Sequence, residues 1–286
     1  MVHFNNVTII GVGLIGGSLA KVLKAAGLAG RITGAGRSRE SLEQALKLGV
    51  IDVISEDRAR AVDNADLVVL ASPVGTFEQV VREIGPRMKS GAILTDVGSV
   101  KGDLVRRMEK LLPSGISYVP GHPIAGKEKY GVAEASETLF RGAKCILTPT
   151  EKTDARAIET MKALWAAAGA QVLLMDADTH DRVFAAVSHV PHVAAYAMVN
   201  AVAGLNTGTK NYIDFSGGGF KDFTRIAASS PEIWRDICLM NGKNIVEMLE
   251  RYEGSLDKLK KAIHAGDGAA MEKLFRNASD TRKKLG

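Results

Sequence analysis

The sequence is poor in cysteine: its 286 residues include only two, Cys145 and Cys238, which lie far apart in the chain. This scarcity excludes a disulfide framework and a cysteine-based zinc site, and we expect no bound metal. Free thiols are typical of a reducing compartment, so the cytoplasm is the expected location.

Long hydrophobic runs are also missing. A membrane-spanning helix needs about 18 or more consecutive apolar residues. The longest candidates are Leu67–Val74, which is too short, and Val183–Ala203, which Ser188, His189 and Asn200 interrupt. The first residues show no basic stretch ahead of an apolar one, as a secretory signal would. We therefore expect neither membrane insertion nor export.

The chain has no large basic block and few aromatic residues. Its net charge of +5 is spread along the sequence, apart from Arg282–Lys284 near the end, and aromatics make up 5% of the residues. Neither a zinc-finger pattern nor an RNA-binding aromatic pattern is present. Nucleic acid is therefore not an expected partner, whereas a mild positive charge suits an anionic small molecule.

Residues 1–176 alternate short apolar runs with helical patterns. Val7–Val12 and Leu67–Ala71 are typical of strands, and Phe77–Ile84 is typical of a helix. This alternation predicts an α/β domain of Rossmann type, with a mostly parallel sheet covered by helices on both faces.

Residues 177–286 show no strand pattern and predict an all-α domain. Asp178–Ala203 is helical and apolar on most faces, and Pro191 in its interior predicts a kink. Such a helix is buried in a core or a subunit interface. A further helix is expected from Glu232 to about Arg251. No Pro- or Gly-rich linker divides the two domains, so we expect a rigid connection.

A glycine motif follows the first predicted strand and precedes a helix. It comprises Gly11, Gly13 and Gly16, with Leu14 and Ile15 between them. In a dinucleotide site, the first glycine permits a tight turn, the second lets the pyrophosphate approach the backbone, and the third lets helix and strand pack closely. The motif therefore predicts a dinucleotide cofactor.

The end of the second predicted strand bears on the choice of cofactor. Sites for NAD usually carry an acidic residue there, but this chain has Gly36 followed by Arg37, Ser38 and Arg39. Two guanidinium groups and a hydroxyl suit the 2′-phosphate of NADP. NADP is the favoured cofactor, and NAD remains the alternative because Glu40 is close by.

Polar residues follow the predicted strands at the edge where an open parallel sheet binds ligands. Ser72 and Pro73 follow one strand, Ser99 follows the next, and His122 lies between glycines after a third. Histidine is the usual proton-transfer group near neutral pH. We therefore predict that His122 acts beside the cofactor.

Six segments, in order and spacing, resemble the prephenate/arogenate dehydrogenase family. They are GVGLIGGSLA, DVGSVKG, GHPIAGKEKYG, LFRGAKCILTP, SHVPHVAAYA and FKDFTRIAASSPEIWRDI. The resemblance implies a dinucleotide-binding domain, residues 1–176, joined to a helical substrate-binding and dimerisation domain, residues 177–286. It also implies a homodimer that oxidatively decarboxylates prephenate to 4-hydroxyphenylpyruvate, with hydride transfer to NAD(P)+, in tyrosine biosynthesis.

The resemblance assigns catalytic roles to two residues. His122 matches the family's catalytic histidine, which accepts the proton of the C4 hydroxyl, and Ser99 matches the residue that orients it. Lys127 and Lys129 are expected to lower the pKa of His122 and keep it neutral.

The resemblance also assigns the binding of the substrate dianion. Arg225 matches the carboxylate-binding arginine, while His192 contributes to binding and His189 supports it. Lys127 and Glu128 are further candidates, with Glu128 expected to pair with Arg225. A metal bound by the two histidines is the rival interpretation, but the spacing offers no third ligand.

Several alternatives stay open. The stretch after His122 carries Lys127, Lys129 and Tyr130 beside Glu128, which favours prephenate over arogenate. A β-hydroxyacid dehydrogenase, an imine reductase or a non-catalytic NADP sensor would share the glycine motif. No regulatory domain of the ACT type is expected. We expect Trp234 to be a packing residue and His180 an ordinary residue at a helix end, with His3 and His264 on the surface.

Overall fold

The structure is a computed structural model and describes residues 2–126, 131–206 and 211–284. Its amino-terminal part contains a six-stranded sheet. The strands are β1 (Phe4–Ile10), β2 (Ala29–Ala35), β3 (Val53–Ser55), β4 (Leu67–Leu70), β5 (Ile93–Asp96) and β6 (Ser117–Val119). They are all parallel, in the order β3-β2-β1-β4-β5-β6. The order reverses between β1 and β4, and this switch point is where open parallel sheets bind ligands.

Five helices connect these strands and cover the sheet. They are α1 (Leu14–Ala25), α2 (Arg39–Lys47), α3 (Arg58–Ala61), α4 (Phe77–Ile84) and α5 (Gly102–Leu111). Consecutive residues of a strand point to opposite faces. Accordingly, Ile9 belongs to an apolar cluster with Trp165, and Ile10 belongs to a second cluster with Phe77. Every residue of β4, one of the two central strands, is buried, as expected for a strand covered on both faces. The predicted Rossmann-type α/β fold is confirmed.

A second, three-stranded sheet follows β6. It comprises β7 (Gly121–Pro123), β8 (Lys144–Leu147) and β9 (Gln171–Leu174), with α6 (Ala155–Ala167) before the last strand. The β7–β8 pair is antiparallel and the β8–β9 pair is parallel. His122 therefore lies within a short strand rather than in a loop. Pro120 separates β6 from β7, and a proline has no N–H to donate to a continuing ladder.

The carboxyl-terminal part is helical. Its helices are α7 (Ala177–Phe184), α8 (Val190–Ala203), α9 (Gly218–Thr224), α10 (Pro231–Met240), α11 (Gly242–His264) and α12 (Gly268–Lys283). A π-helical turn, Ala185–His189, lies directly before α8, and Pro191 lies in the first turn of α8 rather than in the interior of one long helix. The single helix expected from Glu232 is in fact two helices, divided at the buried Asn241. Across the described ranges, no helix is both long and apolar enough to cross a membrane.

The two parts of the chain meet at the amino-terminal end of α5. The backbone N–H of Lys101 donates to a carboxylate oxygen of Asp181 at 2.8 Å, and Arg106 forms an ion pair with Asp178 at 3.0 Å. A Cβ atom on Gly102 would lie 2.5 Å from the other oxygen of Asp181. The carboxylate of Asp181 thus approaches the positive end of the α5 dipole closely.

Candidate active site

The glycine motif forms the turn between β1 and α1. Gly11 has a φ of 99°, and a Cβ there would lie 2.6 Å from the backbone of Ala71. A Cβ on Gly16 would lie 2.4 Å from the carbonyl oxygen of Gly11. The fold itself therefore requires both glycines.

Gly13 differs, because a Cβ there would have no protein atom within 4 Å. It precedes α1, whose first turn has neither a capping side chain nor an acidic residue. The N–H groups of this turn are consequently left for an anion. The space beside Gly13 is the cradle that a pyrophosphate needs, so the loop fits a dinucleotide cofactor.

A cavity of about 730 Å³ lies between the two parts of the chain. This volume is within the range of about 300–1,000 Å³ that ligand sites usually have. Its wall includes residues predicted to bind the cofactor or act in catalysis, namely Gly13, Leu14, Ile15, Ser72, Pro73 and Ser99. The helical part contributes Ser229, Ser230 and Trp234. The expectation that Trp234 only packs is therefore incomplete, because its side chain also borders this cavity.

The segment after β2 flanks the glycine motif, because the N–H of Gly11 donates to the carbonyl of Ala35 at 2.8 Å. Arg37, Ser38 and Arg39 are all exposed, but their surroundings differ. Arg39 is paired with Glu43 and Glu56 on the protein itself.

Ser38 and Arg37 complete this edge of the site. Ser38 accepts a hydrogen bond from the N–H of Ser41 at 3.2 Å and thereby caps α2. Within the described ranges, Arg37 makes no hydrogen bond or ion pair. Its guanidinium, unlike that of Arg39, is therefore available to a ligand.

His122 takes part in a buried chain of three side chains. Its Nδ1 lies 2.8 Å from Nε2 of His180, and Nδ1 of His180 lies 2.8 Å from a carboxylate oxygen of Asp181. Phe184 packs against both imidazole rings, with centroid distances of 4.8 and 4.5 Å. The expectation for His180 is wrong: it is fully buried, because α7 presses this side chain against β7.

The environment of His122 keeps the ring neutral. Burial lowers the pKa of His122 well below its usual range, and the positive charge of Lys101 lowers it further. Lys127 and Lys129, expected to have this effect, lie outside the described residues. Sequence reasoning missed Lys101, which has no exposed surface and donates to Asp96 and to the carbonyl of Gly98, each at 2.7 Å.

His192 packs against Trp234, a residue of the cavity wall. Its ring stacks on Trp234 at a centroid distance of 3.8 Å and an interplanar angle of 22°. Its Nδ1 lies 2.9 Å from the carbonyl oxygen of Ser188, so this nitrogen carries a proton that it donates. Burial lowers the pKa of His192, and the charge of Arg225 adds to this effect.

His189 is buried behind the same tryptophan, at a centroid distance of 6.0 Å. Asn241 donates to the carbonyl of Asp181 at 2.8 Å, and its amide nitrogen lies 3.0 Å from Nδ1 of His189. Burial lowers the pKa of His189 to about 4. Among the described residues, its buried Nε2 has no hydrogen-bond partner. Asn241 thus links His189 to the backbone of Asp181, whose carboxylate contacts His180.

Four predicted site residues remain: Ser99, Arg225, Lys127 and Glu128. Ser99 borders the cavity, but no hydrogen bond joins it to His122 in the part of the chain that the structure describes. Arg225 is exposed and begins the turn that follows α9. Lys127 and Glu128 lie outside the described residues.

The molecule thus combines a dinucleotide cradle on the cavity wall with a buried, neutral imidazole at His122, which suits proton abstraction coupled to hydride transfer. Comparison with known proteins identifies the family. Residues 19–174 match the model of the prephenate dehydrogenase nucleotide-binding domain, and residues 176–277 match that of the prephenate dehydrogenase dimerization domain. The chain belongs to the prephenate dehydrogenase family.

Individual relatives agree with this assignment. Prephenate dehydrogenase of Bacillus subtilis is 36% identical over 282 residues, which cover 98% of this chain and 76% of that protein. Cyclohexadienyl dehydrogenase of Zymomonas mobilis is 36% identical over 286 residues, which cover 100% of this chain and 97% of that protein. The crystal structure of prephenate dehydrogenase from A. aeolicus in complex with hydroxyphenyl propionate and NAD+ has a TM-score of 0.94 and 40% sequence identity to this chain. The match covers 99% of this chain and 98% of that chain.

Family membership confirms the predicted resemblance and the predicted activity at the level of the family. The chain is an oxidoreductase with a nucleotide-binding domain of Rossmann type, followed by a helical domain of the dimerisation type. The interpretation as a non-catalytic sensor is no longer needed.

Proposed function

We propose that this member of the prephenate dehydrogenase family converts prephenate to 4-hydroxyphenylpyruvate in tyrosine biosynthesis, with NADP+ as its preferred oxidant. The observation that carries the proposal is the buried, neutral His122 at the carboxyl end of β5. This position follows from Gly121, whose Cβ would lie 3.0 Å from the carbonyl oxygen of Asp96 at the end of that strand. The reaction needs a base there, because the C4 hydroxyl of prephenate becomes a carbonyl.

In this proposal, His122 accepts and then returns one proton. A bound nicotinamide supplies the hydride acceptor for the hydrogen on C4. His122 takes the hydroxyl proton, and a dienone with a C4 carbonyl results. The bond to the ring carboxylate then breaks, CO₂ leaves, and its electron pair completes the aromatic ring. The proton on His122 neutralises the resulting phenolate oxygen, so no net proton is released.

Cationic and polar groups hold the two carboxylates of prephenate. Arg225 is proposed to bind one carboxylate with its guanidinium fork, and His192 to contact the substrate from its stacked position on Trp234. His189 supports this wall, and Lys127 and Glu128 are proposed to complete it. Ser99, on the cavity wall, is proposed to orient His122 and the reacting hydroxyl.

Arogenate is a second candidate substrate, favoured by one observation. Because Nδ1 of His192 donates to Ser188, the neutral ring offers only a lone pair on Nε2. A lone pair accepts a hydrogen bond from the ammonium group of arogenate, which prephenate lacks. The stretch that carries Lys127 and Lys129 favours the dianionic prephenate, which remains the main proposal.

The preference for NADP+ rests on Arg37 and Gly36. No acidic side chain stands at Gly36 to hold a ribose diol, and Arg37 has no partner within the described ranges. Arg39 contributes less, since Glu43 and Glu56 already neutralise it. Ser38 is close enough in sequence to assist through its hydroxyl.

A homodimer is proposed from the helical part. Its described residues expose large apolar side chains: Val187, Met198, Leu205, Phe215, Leu239, Val246, Leu256, Ile263 and Phe275. Exposed large apolar side chains in such number favour an interface. In a twofold dimer, both subunits use the same surface for the contact, so a second copy of this chain can cover these side chains.

The test is a spectrophotometric assay of cofactor reduction that crosses prephenate and arogenate with NADP+ and NAD+. We expect the highest kcat/KM with prephenate and NADP+. His122→Asn should lower kcat by about 10²- to 10⁴-fold with cofactor binding intact, whereas His264→Asn, on the surface, should have no effect. Normal turnover by His122→Asn, or no turnover with either substrate, would reject the proposal.

A further inference from the structure

We propose that His180 and Asp181 are positioning residues that fix the tautomer of His122, so that its Nε2 carries a lone pair. The use of that lone pair in catalysis rests on the proposed function, but the tautomer itself follows from the hydrogen-bond geometry and the burial of these side chains.

The argument begins at Asp181. One of its carboxylate oxygens accepts hydrogen bonds from the N–H of Lys101 and from Nδ1 of His180, each at 2.8 Å. The carboxylate lies at the amino-terminal end of α5, where the helix dipole favours a negative charge. An ionised carboxylate only accepts hydrogen bonds, so Nδ1 of His180 carries a proton.

The second step concerns the charge of His180. The side chain is fully buried, and this burial lowers the pKa of His180 although Asp181 opposes the effect. A neutral ring protonated on Nδ1 has a lone pair on Nε2. That lone pair lies 2.8 Å from Nδ1 of His122.

The third step transfers this constraint to His122. Two lone pairs at 2.8 Å would repel each other, so Nδ1 of His122 must be the donor. His122 is also neutral, because burial and Lys101 disfavour its cation. Its Nε2 therefore has no proton, whereas an unconstrained neutral histidine favours the opposite tautomer.

This arrangement suits a base that holds a proton only briefly. When His122 accepts a proton on Nε2, its Nδ1–H remains directed at His180, and the charge of Asp181 stabilises the cation through that ring. The same logic of an acid residue that orients a histidine operates in catalytic triads. Because the reaction returns the proton to the product, His180 and Asp181 need only position the ring of His122 and stabilise its cation. No proton has to pass from His122 to these two residues.

The first test is the ¹⁵N NMR spectrum of the histidine side chains in the ligand-free enzyme. We expect Nδ1 of His122 to be protonated and Nε2 to be unprotonated at neutral pH. His180→Leu should shift His122 towards the Nε2-protonated form, and His180→Gln should keep the original tautomer because its amide oxygen can accept. Phe184→Leu is the matched control: it alters packing against both rings, so it should lower Tm but leave the tautomer unchanged.

The second test is kinetic. His180→Leu should lower kcat by about 10²-fold or more with little change in the KM for substrate, while His180→Gln should stay within about tenfold of the wild type. If His180→Leu does not fold, Asp181→Asn replaces it: loss of the anion should lower kcat and move the acid limb of the kcat profile to lower pH.

Two outcomes overturn the proposal: a wild-type His122 protonated on Nε2, or variants whose tautomer and pH profile match the wild type despite a lowered Tm. A correct tautomer in an enzyme that turns over neither prephenate nor arogenate would instead reject only the proposed function.

Discussion

The ammonium group of Lys101 lies 2.7 Å from a carboxylate oxygen of Asp96, and neither side chain has any exposed surface. The carboxylate also accepts hydrogen bonds from Tyr118 and from the N–H of Gly98, each at 2.7 Å. The removal of one partner from such a buried ion pair destabilises the fold strongly, because the other charge is left buried without a counter-charge. Here the same pair also brings a positive charge near His122.

The first prediction follows from this burial. Lys101→Met should lower the free energy of unfolding by about 3–5 kcal/mol, because it leaves Asp96 charged and unpaired. The double variant Lys101→Met with Asp96→Asn should recover much of that loss. Urea denaturation measures both.

The matched control is an exposed pair. Lys260 and Asp257 lie 2.8 Å apart on the surface of α11, and Lys260→Met should leave the free energy of unfolding nearly unchanged. Equal losses for the buried and exposed variants would contradict the prediction.

The second prediction concerns activity at low pH. Because burial and Lys101 lower the pKa of His122, the neutral base persists below its usual pKa of about 6.5. Activity should be full at neutral pH and fall only as the pH drops through the lowered pKa. The profile of kcat/KM against pH tests this, since an acid limb centred at or above pH 6.5 would contradict it.

The third prediction concerns stability at low pH. The pKa of His189 is about 4 in the folded chain, against about 6.5 when unfolded. Between these values the unfolded state binds more protons, so stability is full above about pH 6.5 and declines as the pH falls towards 4. The loss amounts to roughly 3 kcal/mol for this one residue. His189→Gln should flatten the decline measured by urea denaturation, whereas His264→Gln, on the surface, should leave it unchanged.

The sequence predicted the local elements well, because their determinants are local. Phe77–Ile84 is the helix that its apolar spacing indicates, and the continuous apolar run at Leu67 is the buried central strand. The glycine motif lies in the predicted turn, since the conformational needs of Gly11 and Gly16 are set by backbone atoms nearby.

The surroundings of His122 could not be predicted in the same way. His180 lies 58 positions later in the chain, and it meets His122 only because α7 folds back onto the second sheet. Lys101 has the sequence context of an ordinary surface lysine at the start of a helix. Only the assembled core shows that Lys101 is buried against Asp96 and that its charge lowers the pKa of His122.

The fourth prediction concerns cofactor choice. Arg37→Ala should weaken NADP+ binding by about 10- to 100-fold, the usual worth of a charged hydrogen bond, and leave NAD+ binding nearly unchanged. Gly36→Asp should move the preference towards NAD+, because a carboxylate repels the 2′-phosphate and accepts from a ribose diol. Arg39→Ala is the control, since Glu43 and Glu56 already engage that side chain. Fluorescence titration of both cofactors would contradict the prediction if Arg37→Ala affected them equally.

The fifth prediction concerns the substrate carboxylates. Arg225 is exposed at the beginning of a turn, and its charge lowers the pKa of His192. Arg225→Ala should therefore raise the KM for prephenate by about 10- to 100-fold with a smaller change in kcat, because it removes binding shared by the ground and transition states. It should also raise the pKa of His192, which ¹H NMR titration measures without turnover. Arg235→Ala is a matched control on the same domain, since that arginine is bound to Asp236 at 2.7 Å. If Arg225→Ala shifted the pKa of His192 but left KM unchanged, Arg225 would lie beside the histidine without holding the substrate, and the carboxylate would have to bind elsewhere.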